Sequence, residues 1–293
     1  MQRSYIVCLI GIIAVSFAAT FIRMADAHPT VIAFMRMAIA AVLLGIVWLA
    51  TNREYPRAND IPYLFAAGVC LALHFVTWIA SLGMTSVASS VVLVTMQPLF
   101  VLAISTYLFK ERITSREILG VALCLMGALS IAWSDMQTGG HSTLQGNTLA
   151  LSGAAFAALY FVFGKKVRRR LHILPYVAIT YSIAALTLGL IVSIYRLPLG
   201  PFSFPTWGAF VGLALVCTVI GHSSFNYAIA YLPASTVSVA TLGEPLGATL
   251  LATFILREAP TLGQIVGGGI IIAGIYIFSV KTQPSISPTR CIS

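Results

Sequence analysis

TLGEPLGATLLATFILRE, residues Thr241 to Glu258, carries a carboxylate and a proline inside a stretch otherwise long and apolar enough to cross a bilayer. A carboxylate deep in a membrane helix costs roughly 2.5–3.5 kcal/mol even on the most lenient insertion scale. Proline removes a backbone donor and clashes with the preceding turn. Glu244 and Pro245 together therefore mark an interrupted helix, and the polar groups freed there must meet protein or a cavity, because lipid cannot satisfy them. The stretch reads as a transmembrane segment built around a polar site.

The rest of the chain is of the same kind. Of 293 residues 59% are hydrophobic and only 9% charged, where a soluble domain carries about 25% charged. Apolar runs lie near 5–22, 30–50, 61–81, 87–109, 115–134, 147–164, 175–195, 207–231, 235–256 and 262–280. Each is close to the ~20 residues that cross a hydrocarbon core as a helix. The runs are continuous rather than alternating, so membrane strands are not expected. The longest polar connections are short, such as Asn52–Asp60 and Asp135–Gly146, and no soluble domain fits between the spans. The first run has spanning length rather than that of a signal-peptide core, although Ala25-Asp26-Ala27 imitates a cleavage site. Cys8, Cys70, Cys124, Cys217 and Cys291 show neither CxxC nor metal-ligand spacing. Those within apolar runs read as small hydrophobes, so no metal or cofactor is expected.

The formal charge of +9 would point to nucleic acid in a soluble protein, but here the basic residues sort by side of the membrane. With the N-terminus inside, 13 of the 17 Lys and Arg fall on the cytoplasmic side. Arg23, Arg196 and Arg257 fall outside, and Arg36 lies within the second span. Such a bias sets orientation. It predicts a multi-pass protein of the cell (inner) membrane with both termini cytoplasmic. KKVRRR, residues 165–170, is then a topology anchor able to touch anionic lipid, and nucleic acid is not expected as a partner.

The chain is also doubled. Shifted by 147 positions, VTMQPLFVLAISTYLFKE (94–111) lies over TLGEPLGATLLATFILRE (241–258). Between Pro98 and Gly127, eight pairs are identical, among them Pro98/Pro245, Thr106/Thr253, Glu111/Glu258, Gly120/Gly267 and Gly127/Gly274. Thr114…Glu117 and Thr261…Gln264 each have the form of a capping box opening the last span of a half. ASSV (88–91) echoes ASTV (234–237), and His74 and His222 fall at nearly equivalent places. Five spans per repeat is odd, so the second copy enters the membrane from the opposite side. Gln97-Pro98 and Glu244-Pro245 then sit some 14–15 Å deep at ~1.5 Å per residue, facing each other near the middle of a ~30 Å core. Inverted repeats with interrupted helices meeting at the midplane are an architecture of secondary transporters.

These segments, with YLPASTVSVATLGEP before the second and FMRMAIAAVLL around Arg36, resemble the EamA-type family of the drug/metabolite transporter superfamily from Tyr5 to Val280. The resemblance implies an all-α membrane protein of ten transmembrane helices in two inverted five-helix repeats. Residues 1–134 would form the first repeat, 135–146 an external linker, 147–281 the second repeat and 282–293 a cytoplasmic tail. It also implies a central cavity and transport of small metabolites, often amino acids, commonly outward. One departure is Gln97, where many relatives carry Glu, which puts in doubt any scheme of two acidic residues.

Within that frame Glu244 is the candidate for proton coupling or for binding a substrate amine; the alternative is a structural carboxyl held against unwound backbone. Gln97 cannot titrate and offers a donor and an acceptor in the same cavity, or simply satisfies the break at Pro98. His222 and Asn226, four apart, would share a helix face, with Ser223, Tyr227 and Thr241 nearby; His74 and Trp78 make the same spacing. Aromatic surface with few polar anchors suits a small amphiphilic molecule, although each histidine can also be read as packing. Arg36 is placed to attract a substrate carboxylate, to pair with Glu244, or to snorkel. Trp48, Trp133 and Trp207 read as interfacial anchors, and Glu111 and Glu258 as interfacial carboxylates. Gly243/Gly247 and Gly263/Gly267 allow close helix packing, within the chain or between protomers, so the oligomeric state stays open.

The resulting expectation is a secondary active transporter of small metabolites, by efflux, with proton coupling or exchange. No P-loop occurs, so ATP is not expected to drive it. A passive channel or membrane sensor is the alternative, and an intramembrane enzyme is disfavoured because neither HExxH nor GxSxG is present.

Overall fold

The computed structural model describes residues 2–51, 54–85, 87–109, 114–136, 143–255 and 262–279, and every regular element among them is helical. The first half contains α1 (Gln2–Val15), α2 (Ala18–Met24), α3 (Pro29–Thr51), α4 (Ile61–Ser81), α5 (Val87–Val94), α6 (Gln97–Phe109) and α7 (Ser115–Met136). The second contains α8 (Leu144–Arg168), α9 (Ile173–Ile194), α10 (Phe204–Gly212), α11 (Ser223–Tyr231), α12 (Ala234–Ala240), α13 (Glu244–Ile255) and α14 (Leu262–Ser279). Among the described residues six helical stretches are long and apolar enough to cross a membrane: Gln2–Met24, Pro29–Thr51, Ala58–Ser81, Leu144–Arg168, Ile173–Ile194 and Phe204–Tyr231. Glu111, Glu258, half of the expected linker (137–142) and the expected tail lie outside the described residues.

Helix starts follow local chemistry. Pro29 opens α3, and Pro62 and Pro205 sit in the first turns of α4 and α10, where a missing N–H has no intrahelical partner to lose. Thr143 and Ser203 cap α8 and α10 by accepting from Gly146 N and Thr206 N. The capping box before α7 forms as expected: Thr114 N donates to Glu117 Oε2 (2.8 Å) and Glu117 N to Thr114 Oγ1 (3.3 Å). Its counterpart at Thr261 lies outside the described residues.

The outward surface is apolar, unlike that of a soluble protein. Ile6, Leu9, Ile13, Val42, Ile46, Leu49, Leu186 and Leu190 face outward, while Arg36, Tyr160, Tyr176 and Tyr181 are among the largest fully buried side chains. That arrangement fits lipid, which accepts apolar surface and rejects polar groups. Lys165 and Arg168, expected as an exposed anchor, are also buried, at 9% and 5% exposure. Lys165 donates to the Leu232 carbonyl, and Arg168 to the carbonyls of Asn226 and Leu171, so only the neighbouring Lys166, Arg169 and Arg170 remain at the surface.

Four helical stretches are interrupted, α1/α2 at Ser16-Phe17 among them. α5 and α6 part at Thr95-Met96, and α12 and α13 are joined by a 3₁₀ turn, Thr241–Gly243. Each of these two breaks falls just ahead of its proline, so Pro98 and Pro245 are the second residues of α6 and α13. Threonine hydroxyls take up carbonyls three residues back: Thr95 Oγ1 donates to Val92 O (2.8 Å) and Thr241 Oγ1 to Ser238 O (2.6 Å). Between α10 and α11 the chain forms a π-helical segment, Leu213–His222, a geometry often found at functional sites.

The helices pack α7 on α14, α4 on α8, α3 on α9, and α1 on the π segment and α11. Glycine sets the first crossing. A Cβ on Gly120 would lie 2.9 Å from the Gly274 carbonyl oxygen, and one on Gly127 only 2.5 Å from that of Gly267. Rising numbers on α7 meet falling numbers on α14, so the two helices run antiparallel. Gly243 and Gly247 pack within the chain as well, against Ile12 and Ser16 of the first span, with a Cβ on Gly247 only 2.0 Å from Ser16 Oγ.

Gly127→Val should therefore overpack the α7–α14 crossing and lower the unfolding temperature of the detergent-purified protein, at about 1–3 kcal/mol. Gly45→Ala, whose Cβ meets nothing, should leave it unchanged. Equal behaviour of the two variants would contradict the crossing.

Candidate functional site

The interrupted helices converge on one cavity of about 50 Å³. The α5/α6 break supplies Val94, Thr95 and Gln97, and the break before α13 supplies Thr241 and Glu244. α3 contributes Arg36, α4 contributes His74 and Trp78, and the end of the π segment contributes His222. Val15, Ala18, Ala157, Tyr160, Phe161 and Phe225 complete the wall. The wall itself is repeat-spaced: Trp78 and Phe225, Val94 and Thr241, and Gln97 and Glu244 are each 147 positions apart.

Seven of the residues singled out from the sequence thus stand around one cavity: Gln97, Glu244, His74, Trp78, His222, Arg36 and Thr241. Asn226 and Tyr227 do not. Asn226 is buried one layer behind the wall, where its Nδ2 donates to Tyr160 OH (2.5 Å) and Tyr181 OH (3.1 Å). Tyr227 packs on Tyr231, ring centroids 5.0 Å apart, away from the cavity. The residue that does continue the face from His222 is Phe225, three positions on.

Arg36 is fully buried and does not snorkel. Its Nε donates to Thr218 Oγ1 (2.6 Å), and its guanidinium carbon lies 4.1 Å over the Phe75 ring, a cation–π contact. It lines the same cavity as Glu244 without forming an ion pair with it. His74 Nδ1 lies 2.9 Å from the Gly153 carbonyl oxygen, which can only accept, so Nδ1 carries the proton. The His74 ring stacks on Trp78 at 6.0 Å and lies 6.5 Å from that of His222. Several polar atoms on the wall have no hydrogen-bond partner: Arg36 Nη1 and Nη2, Trp78 Nε1, Gln97 Nε2 and His222 Nδ1.

Behind the wall a hydrogen-bonded chain joins the cavity to the end of α8. Arg168 Nε donates to Asn226 O (2.9 Å), and the Asn226 side chain holds Tyr181 OH, which lies 3.2 Å from Ser223 Oγ. Ser223 Oγ donates to Thr218 O (3.3 Å), and Thr218 Oγ1 receives Arg36. Sequence reasoning missed Tyr160, Thr95 and Thr218. The signal for Thr95 was its place two residues before Gln97 at the break; a tyrosine in an apolar run such as LYFVFG gives none.

One glutamic acid, one guanidinium, imidazoles and aromatic surface in an enclosed space can hold a small polar molecule and release it; among the described residues no three His, Cys, Asp or Glu converge to hold a metal ion.

A sequence model of the EamA-like transporter family matches residues 2–133 and again 144–280. An "Uncharacterized transporter" of Archaeoglobus fulgidus is 28% identical over 261 residues, covering 85% of this chain and 88% of that protein. The "Uncharacterized transporter YdfC" of Bacillus subtilis is 26% identical over 280 residues, covering 94% and 90%. A protein of Streptantibioticus cattleyicolor named "Probable terminal-alkyne amino-acid exporter" is 26% identical over 256 residues, covering 84% and 82%. A solved crystal structure superposes with a TM-score of 0.80 over 95% of this chain and 97% of its own, at 17% identity, a likeness of fold alone. With spanning helices, a cavity where the interrupted helices meet, and family matches over both halves, the chain belongs to the EamA-like transporter family.

Proposed function

We propose that this protein is a secondary active transporter whose substrate site is the cavity between the two broken helices. Ten transmembrane helices form two inverted five-helix repeats, residues 1–134 and 147–281, joined by an external linker at 135–146 and followed by a cytoplasmic tail at 282–293. Rocking of the bundles exposes the cavity to each side in turn. The observation that carries this reading is that Gln97 and Glu244, first residues after repeat-related breaks, stand on the wall of one cavity. The packing also supports it. Exchanging the halves turns the Gly120–Gly274 contact into the Gly267–Gly127 contact, and the α4–α8 pairing into that of α11 with α1. The antiparallel course of α7 and α14 fits a second copy that enters from the opposite side, and the two family matches fit a duplicated unit.

The cargo is a small metabolite, an amino acid or a related compound, moved outward, with Glu244 as the group that exchanges a proton for it. A relative named as a probable terminal-alkyne amino-acid exporter supports that class. Both termini face the cytoplasm of a cell (inner) membrane, consistent with the distribution of Lys and Arg.

In proteoliposomes with a trapped pH dye, a panel of amino acids should elicit proton flux. Glu244→Gln should abolish that flux while unlabelled-for-labelled exchange survives. A mutant that moves protons and substrate like the wild type would remove the coupling role and leave Glu244 a structural carboxyl beside Pro245. Separately, a protease-accessible tag within 137–142 should be cleaved from outside intact cells, and the same tag at the C-terminus should not. The reverse pattern would overturn the orientation.

A further inference from the structure

We infer that the cavity recognises its cargo by a carboxylate, clamped by Arg36, Trp78 and Gln97. The inference rests on the transport reading only in taking the cavity to be a substrate site. Four of its polar atoms, Arg36 Nη1 and Nη2, Trp78 Nε1 and Gln97 Nε2, are buried and have no partner. All four are N–H donors, and neither an indole nor a guanidinium nitrogen can accept. These four atoms therefore lack an acceptor, while the fifth unpartnered atom of the wall, His222 Nδ1, donates or accepts according to its tautomer.

The number and arrangement of donors narrow the acceptor further. A carboxylate offers two oxygens and about four lone-pair sites, enough to accept one hydrogen bond from each of the four unpartnered nitrogens. Arg36 is held so that one edge stays free: Nε is occupied by Thr218 Oγ1 at 2.6 Å and the guanidinium face by Phe75 at 4.1 Å. The remaining Nη pair is the fork that binds carboxylates bidentately. The anchoring is fixed in turn, since Thr218 Oγ1 donates to Leu213 O at 2.9 Å across the π segment. The donors arise from three separate helices, α3, α4 and α6, so the clamp needs all three in register. Glu244, the acid on this wall, does not fill the role, because it makes no ion pair with Arg36. It lines the same cavity, available to an amino group where the cargo has one. Val15, Ala18, Phe161 and Phe225 offer the apolar remainder of the molecule a dry surface.

The test uses the purified full-length chain and four compounds that share one isobutyl side chain: leucine, 4-methylpentanoate, leucinamide and 3-methylbutylamine. The corresponding sets built on alanine and phenylalanine bracket size. Binding is read as the ligand-dependent rise in unfolding temperature in detergent, and transport as counterflow in liposomes. In at least one set the two carboxylates should stabilise the protein, and the amide and amine should not. Trp78→Phe, which removes one N–H and keeps the ring, should weaken carboxylate binding about tenfold. Arg36→Lys, which keeps the charge and removes the fork, should weaken it by about 30-fold. If Arg36→Lys does not fold, Trp78→Phe carries the test. The inference is overturned if amides or amines stabilise as well as acids, if no acid in any set stabilises, or if Trp78→Phe binds unchanged. Carboxylates that bind through Arg36 yet give no counterflow would sink the transport reading and leave the clamp standing. Counterflow as fast with amides as with acids would do the opposite.

Discussion

Lipid offers no hydrogen bonds, and most of this molecule's design follows from that deficit. An unpartnered N–H or C=O in the hydrocarbon is costly, so every helix interruption has to face inward and find partners there. The two repeat-related breaks meet this demand in the same way. Thr95 and Thr241 recover carbonyls three residues back, and each following helix opens with a polar residue and a proline. Gathering such breaks at the centre creates a polar space, and small residues at the crossings let the surrounding helices close around it. At Gly127 and Gly247 no side chain fits, which is how α7 meets α14 and how α13 meets the first span.

The polar groups do not end at the cavity. Arg36 is held by Thr218, and through Ser223, Tyr181 and Asn226 the hydrogen bonding continues to Arg168 at the end of α8. Part of the basic run 165–170 is therefore built into the protein's interior. Lys165 and Arg168 hold backbone carbonyls of the α11 region, while their neighbours remain outside. A network of this kind gives the arginine a fixed edge, and a fixed edge allows a guanidinium to discriminate by geometry as well as by charge.

Much of this was legible in the sequence because membrane segments and a duplicated unit both leave strong patterns. The apolar runs place the helices, and the 147-residue offset pairs Gln97 with Glu244, which line one cavity. What local spacing could not supply was phase. Asn226 was assigned to the cavity because it lies four residues after His222, but His222 closes a π segment and the wall continues through Phe225. The repeat offset was the better guide, since Phe225 is the counterpart of Trp78. Tyr160, Ala157 and Val15 were invisible because the first spans of the two halves match only faintly. Whether the glycine pairs serve this chain or a neighbour was equally hidden, since composition does not say which helix approaches.

The account depends on the cavity being reachable from both sides of the membrane at different moments. The direct measurement is labelling of a cysteine at Thr95, a wall residue, in a background where Cys8, Cys70, Cys124, Cys217 and Cys291 have been replaced. A membrane-impermeant thiol reagent would be added to right-side-out or inside-out vesicles in separate experiments. Alternating access predicts labelling from either side, slowed on both by a transported compound. Labelling from one side only, whatever compound is present, would make the cavity a blind pocket and contradict the account.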